Sequence, residues 1–204
     1  MRSALFLLIL LSSSASAEAQ IIRSRFPARS EPNAWFSIGA GLQDGWTVPD
    51  RTSGWVFGSS TDFSASIEKP IGPQASIGIT GTTSLVPVSF ATGSDILIPD
   101  QTANVSRLFA TLHLAPGGQF HTVLEAKAGA TFYSFDRNAP SNADTDFTFA
   151  LGYGFGYNFT PRFSIDIVQD QTTSVHQRDG LPASADANSR VTTTRLLGRL
   201  GIGG

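Results

Sequence analysis

The chain has 204 residues, with 20 Gly and 15 Phe, and only 15% of it is charged, against roughly 25% in soluble domains. A net charge of −2 offers no basic field to attract nucleic acid. The absence of cysteine excludes disulfide frameworks, thiolate metal sites, thiol nucleophiles and a lipobox-type anchor.

Residues 1–19 read as a secretory signal peptide. Arg2 supplies a positive start, Ala4 to Leu11 a short apolar core, and Ser12 to Ala19 small residues with A-x-A cleavage after Ala17 or Ala19. This core is too short and wrongly flanked for a spanning helix. No other stretch approaches eighteen consecutive apolar residues. A membrane span must therefore be built of strands, because only helices and closed barrels satisfy the backbone in lipid. Residues 20–32 carry three arginines and no periodicity, which predicts a flexible leader.

Residues 33–204 alternate with period two and predict an all-β, eight-stranded, antiparallel up-and-down transmembrane β-barrel. The first strand covers about Ala34 to Leu42, with Phe36, Ile38, Ala40 and Leu42 on one face. The second covers about Trp55 to Glu68, with Trp55, Phe57, Phe63, Ala65 and Ile67. The third covers about Gln74 to Leu85 (Ala75, Ile77, Ile79, Leu85) and the fourth about Asn104 to Leu114 (Leu108, Ala110, Leu112, Leu114). The fifth covers about Phe120 to Phe135, with Leu124, Ala126, Ala128, Ala130 and Phe132. The sixth, about Phe147 to Phe159, is the clearest. Phe147, Phe149, Leu151, Tyr153, Phe155, Tyr157 and Phe159 share one face, and Thr148, Ala150, Gly152, Gly154, Gly156 and Asn158 the other. The seventh covers about Arg162 to Gln171 (Phe163, Ile165, Ile167) and the eighth about Val191 to Ile202 (Leu196, Leu200, Ile202).

The connections alternate in length. Tight turns are expected at Lys69 to Pro73, Ala115 to Gln119 and Asn158 to Arg162, and long loops at Gln43 to Gly54, Ala91 to Ala103, Asp136 to Thr145 and Thr172 to Arg190. Outer-membrane barrels put short turns on the periplasmic rim and long loops outside.

Charge and volume decide which face looks outward. The apolar faces carry no charge, whereas Asp62, Glu68, Arg107, Glu125, Lys127, Asp166, Asp170, Arg195 and Arg199 all lie on the opposite faces. A Lys or Arg facing lipid near midplane costs about 2–4 kcal/mol. An eight-stranded interior is only just filled by side chains, so it suits the small residues of the sixth strand better than its aromatic ones. The charged face is therefore the lumen, and its five acids and four bases predict an ionic plug with no open pore. A Pro116-Gly117-Gly118 turn would set Arg107 opposite Lys127, with Glu125 diagonal. A soluble lipocalin-like binder, apolar inside, is the disfavoured inverse.

The stretch Gly152 to Ile167, with its Gly-x-Gly, aromatic, Thr-Pro turn and alternating strand, resembles a hairpin of the small outer-membrane barrels of the protein A and X type. That resemblance implies outer-membrane lipid as surroundings, insertion by the barrel assembly machinery, and a monomer in the bacterial outer membrane. The chain departs from such barrels in ending on glycine where they often end on an aromatic, and no peptidoglycan-binding domain is expected after the last strand.

Other chemistry is thin. His113 and His121 flank a turn and are expected as polar rim residues, with no third metal ligand evident. Asn142, Asp144 and Asp146 lack the Gly and distal Glu of a calcium loop. His176, with Asp170 and Ser174 nearby, has the residue types of an acyl-transfer site but no established geometry. The leading expectation is a non-enzymatic barrel, without cofactor or metal, serving structure or loop-mediated binding. A lipid-modifying enzyme is the alternative.

Overall fold

A computed structural model describes residues 32–49, 53–92, 95–135, 145–176 and 188–203. The signal peptide, almost all of the leader and the Asn142 and Asp144 positions lie outside them. The strands are β1 (Ala34–Gln43), β2 (Trp46–Pro49), β3 (Ser53–Phe57), β4 (Ser60–Gly72), β5 (Ala75–Thr92), β6 (Asp95–Leu114), β7 (Phe120–Phe135), β8 (Thr145–Thr160), β9 (Phe163–Val175) and β10 (Asn188–Ile202).

Eight of them close a barrel. Each of β4 to β10 pairs antiparallel with the next, β1 pairs with β4, and β10 returns to β1 from Ala34↔Ile202 to Gln43↔Thr193. Closure satisfies every barrel strand on both sides and leaves no open edge. The tight turns sit together at one rim. At the β6–β7 turn Gly117 adopts φ 135°, a conformation glycine tolerates, and bridges His121.

The outward face is apolar, as the charge argument requires. Ile38, Phe63, Ile67, Ile79, Leu108, Phe147, Leu151, Phe155, Ile167, Leu196 and Leu200 are all exposed. Near the tight turns the belt ends in aromatic rings. Phe120 stacks on Phe155 at 5.8 Å, Tyr157 meets Phe159 at 5.0 Å, and Phe159 meets Phe163 at 5.7 Å. Such girdles mark the interfacial zone of membrane barrels.

Three sequence expectations need correction. The second predicted strand is broken at Gly58 and Ser59 into β3 and β4. The pairing sum with β5 changes by one residue there, from Phe57↔Val88 to Asp62↔Ser84. One residue flips every side chain to the other face. Trp55 and Phe57 therefore point inward, 6% and 2% exposed, instead of joining Phe63 and Ile67 outside. Second, the expected loop at Ala91 to Ala103 is largely strand: β5 and β6 run on as one hairpin to Thr92↔Asp95. The expected loop at Gln43 to Gly54 likewise contains β2, paired with β3. Third, the β6–β7 register is Arg107↔Thr131 and Thr111↔Lys127, four residues away from Arg107 opposite Lys127. The loop is centred on Gln119, not on Gly117, because Gly117 and His121 still pair. An even shift keeps parity, so both cations stay inside.

Candidate functional site: the barrel interior

The inward faces of the strands meet in polar contacts along much of the barrel. All nine charged residues singled out from the sequence are buried, between 0% and 7% exposed. They form separate layers along the barrel.

Near the tight turns, Arg199 Nη2 donates to Glu68 Oε2 at 2.7 Å, and Ser66 and Ser76 donate to the same carboxylate at 2.9 and 2.5 Å. The Arg199 guanidinium also lies 5.0 Å from the Trp35 ring, within cation–π range. Beside this group His121 Nε2 is 3.2 Å from Asp166 Oδ1, and Asn158 holds the other ring nitrogen at 3.2 Å.

Two carboxylates organise the middle layer. Glu125 meets Lys127 at 2.6 Å, Arg195 at 2.9 Å and His113 at 3.0 Å. Asp170 meets the same Lys127 at 3.0 Å and the same Arg195 at 2.5 Å. β8 makes room for this cluster by carrying glycine on its inward face. A Cβ at Gly152 would come within 2.5 Å of Asp170 Oδ1 and 3.2 Å of Glu125 Cβ. At Gly156 a Cβ would collide with the His121 ring and Asp166.

Further toward the opposite rim, Arg107 lies 3.7 Å from Asp62, donates to Gln43 Oε1 at 3.3 Å and sits 5.7 Å from the Trp46 ring. Between these two layers lies a cavity of about 10 Å³, walled by Asp62, Arg107, Lys127, Asp170 and Arg195. That is room for about one water.

Above Arg107 the interior turns apolar. Trp46, Trp55, Phe57, Val86, Val88, Ala103, Val105, Tyr133 and Val191 form one buried cluster. Trp46 stacks on Phe57 at 4.6 Å, 4° from parallel, and Trp55 meets Phe135 at 4.8 Å. Beside this cluster, on β7, β8 and β9, Thr131, Thr148 and Ser174 exchange hydroxyl hydrogen bonds of 2.7 and 3.0 Å. Asp146 Oδ2 lies 2.6 Å from His176 Nδ1.

Several interior residues were not singled out for this role from the sequence. His113 and His121 are 1% and 3% exposed and each meets its own carboxylate, so both lie inside the barrel, toward its tight-turn end. Among the described residues no three His, Cys, Asp or Glu side chains converge as a metal site would require. Asp146 looked like a loop residue but lies inside, against His176. The expected neighbours of His176 are engaged elsewhere: Asp170 by Lys127 and Arg195, Ser174 by Thr148. Alternation did place Asp146 in phase with Thr148 and Ala150. The helpful signal was that parity, extended one residue before the predicted strand.

No protein-family model matches the sequence, and no curated protein matches it. Solved structures do. Neisserial surface protein A superposes with a TM-score of 0.56 at 11% identity, covering 82% of this chain and 97% of that one. The outer membrane protein AlkL, solved in lipid bilayers, superposes with a TM-score of 0.52 at 11% identity, covering 86% of this chain and 94% of that one. At such identity the likeness is one of fold. The chain has the closed eight-stranded fold of the small bacterial outer-membrane β-barrels, and its uncharged apolar outer belt is that of an outer-membrane protein.

Proposed function

We propose that this barrel is a non-conducting outer-membrane scaffold: its ionic layers and aromatic cluster plug the lumen, and its long-loop end serves structure or binding at the cell surface. The observation that carries the reading is the interior, where the polar layers leave a cavity of about 10 Å³ and the aromatic cluster closes over it. A permeant ion needs a continuous water path, and here charged partners occupy that path.

The tight turns then face the periplasm, as in other outer-membrane barrels. The opposite end is unusually tall. β5 and β6 have 18 and 20 residues, where a membrane crossing takes about 9–11. The surplus, with β2 and β3 paired onto it, stands as a rigid wall outside the bilayer. Binding function concentrates on elements displayed from a rigid scaffold. A barrel without open edges also suits a monomer, surrounded by outer-membrane lipid and inserted by the barrel assembly machinery.

The test is conductance. Purified, refolded protein whose band shifts on boiling should add no steady current steps to a planar phospholipid bilayer. Reproducible ohmic steps would refute the plugged lumen.

A further inference from the structure

We propose that Asp146, His176 and Ser189 form an acid–base–nucleophile set at the loop rim, able to cleave an ester of an apolar acyl group. This activity goes beyond the scaffold role and does not depend on it.

Sheet register makes the case. The β8–β9 pairing ends at Phe147↔Val175, so Asp146 and His176 face each other one step beyond it. Asp146 Oδ2 accepts from His176 Nδ1 at 2.6 Å. With the carboxylate as acceptor that bond holds a proton on Nδ1, and the neutral ring then has its Nε2 lone pair for another partner. Nδ1 is turned to β8, and Nε2, across the ring, is turned away from it. Nε2 is buried and has no hydrogen-bond partner, and His176 is 8% exposed.

On β10, Ser189 pairs with Ser174, the inward residue just before His176 on β9. Ser189 is therefore the diagonal cross-strand neighbour of His176 on the same face, at a separation that an aromatic ring such as that of His176 can span. Its hydroxyl is also buried without a partner, and the residue is 4% exposed. Two unpartnered polar atoms on adjoining strands, one an acceptor and one a donor, are what a base and its nucleophile present before substrate tightens them. Among the described residues Asp146 is the charged group at ion-pair distance from His176, and Tyr133 of β7 lies against Asp146 and Ser174.

The surroundings select the substrate. The next inward residue on β10 is Val191, which joins Trp46, Phe57 and Tyr133 in the aromatic cluster. Those apolar surroundings favour an apolar acyl chain over a charged one. The ester arrives from the long-loop rim, the end of the barrel at which Asp146, His176 and Ser189 lie.

In the reaction, Ser189 Oγ bonds to the ester carbonyl carbon as His176 Nε2 takes its proton. The carbon–oxygen bond to the alcohol breaks, and the alcohol leaves with that proton. Water, deprotonated by the same Nε2, then cleaves the acyl-serine to a carboxylic acid and restores the hydroxyl.

The experiment uses the full-length refolded barrel, treated with an alkyl fluorophosphonate, which loses fluoride to an activated serine. Expected is one label, mapped to Ser189 by mass spectrometry, absent from Ser189→Ala and retained in Ser174→Ala. Asp146→Asn, which disfavours the productive tautomer, should slow labelling on the order of 10²–10⁴-fold and displace its pH profile, while the boiling-dependent band shift persists. Should Ser189→Ala fail to fold, His176→Gln supplies the same loss. Release of p-nitrophenol from p-nitrophenyl butyrate, or of fatty acid from phospholipid vesicles, then shows whether the ester comes from solution or from lipid. An unlabelled folded wild type, or a label on another serine, overturns the assignment.

Discussion

Glu125 shows how much one interior side chain holds. It neutralises Lys127 and Arg195 and also meets His113, all within 3.0 Å. Glu125→Gln keeps the shape and removes the charge, leaving two buried cations to share Asp170. Removing one partner of a buried ion pair costs about 3–5 kcal/mol, because the remaining charge is not resolvated. Asp62→Asn should cost less, since the Asp62–Arg107 pair is 3.7 Å long and Arg107 retains Gln43 and Trp46. Urea titration in phospholipid vesicles, read by the boiling-dependent band shift, measures both. Equal midpoints for the two variants would contradict this ranking. The sequence marked these charges as inward because charge tolerates only one face of a membrane strand. It could not say which acid meets which base. Those partners depend on register across the barrel, and the β6–β7 register turned on whether Gly117 or Gln119 centres the loop.

At the scale of elements, Gly58 and Ser59 decide the most. Period-two reading carried one phase through Trp55, Phe57, Phe63 and Ile67, and nothing in residue type warned against it, since all four are large and apolar. The one-residue change of pairing with β5 puts the first two inside. Deleting Ser59 would match the four-residue step of β5 from Val88 to Ser84, join β3 and β4 in one register, and leave Trp55 and Phe57 inward. Turning them outward instead would return two large apolar side chains to water at about 1.5–3 kcal/mol each. The chain has three tryptophans, and Trp35 lies at the far rim beside Arg199. Acrylamide quenching of the folded deletion variant should therefore match wild type. A rise in quenching, with a band that still shifts on boiling, would mean that the break itself is needed to keep β3 facing inward. Elements with one phase throughout, such as β8, were legible almost to the residue: predicted from Phe147 to Phe159, they form Thr145–Thr160.

Over the whole molecule, the hydrophobic pattern inverts along the barrel axis. Beside the ionic layers the outside is Ile, Leu and Phe, and the inside is charged. Beside the aromatic cluster, on β2, β3, β5 and β6, the inside is apolar, whereas Thr47, Thr102 and Asn104 are exposed outside. One physical cause covers both halves. Lipid rewards apolar side chains outward, and where the wall rises into water the only place to bury them is inward. A reading that assigns one face per strand misses the change, and for that reason the aromatic cluster was not foreseen. The inversion also locates the membrane without reference to any relative, and it can be tested with one charge at two heights. Leu151, 65% exposed, faces outward on β8 beside Lys127 and the middle ionic layer, and Thr102 faces outward on β6 beside the aromatic cluster. Leu151→Arg should destabilise folding in phospholipid vesicles by about 2–4 kcal/mol. Thr102→Arg should fall within about 0.5 kcal/mol of wild type, as ordinary surface substitutions do. In a detergent-free aqueous barrel the two would cost alike, since arginine is at ease in water at either height. A large difference therefore measures the bilayer itself, and its sign fixes which part of the wall the bilayer surrounds.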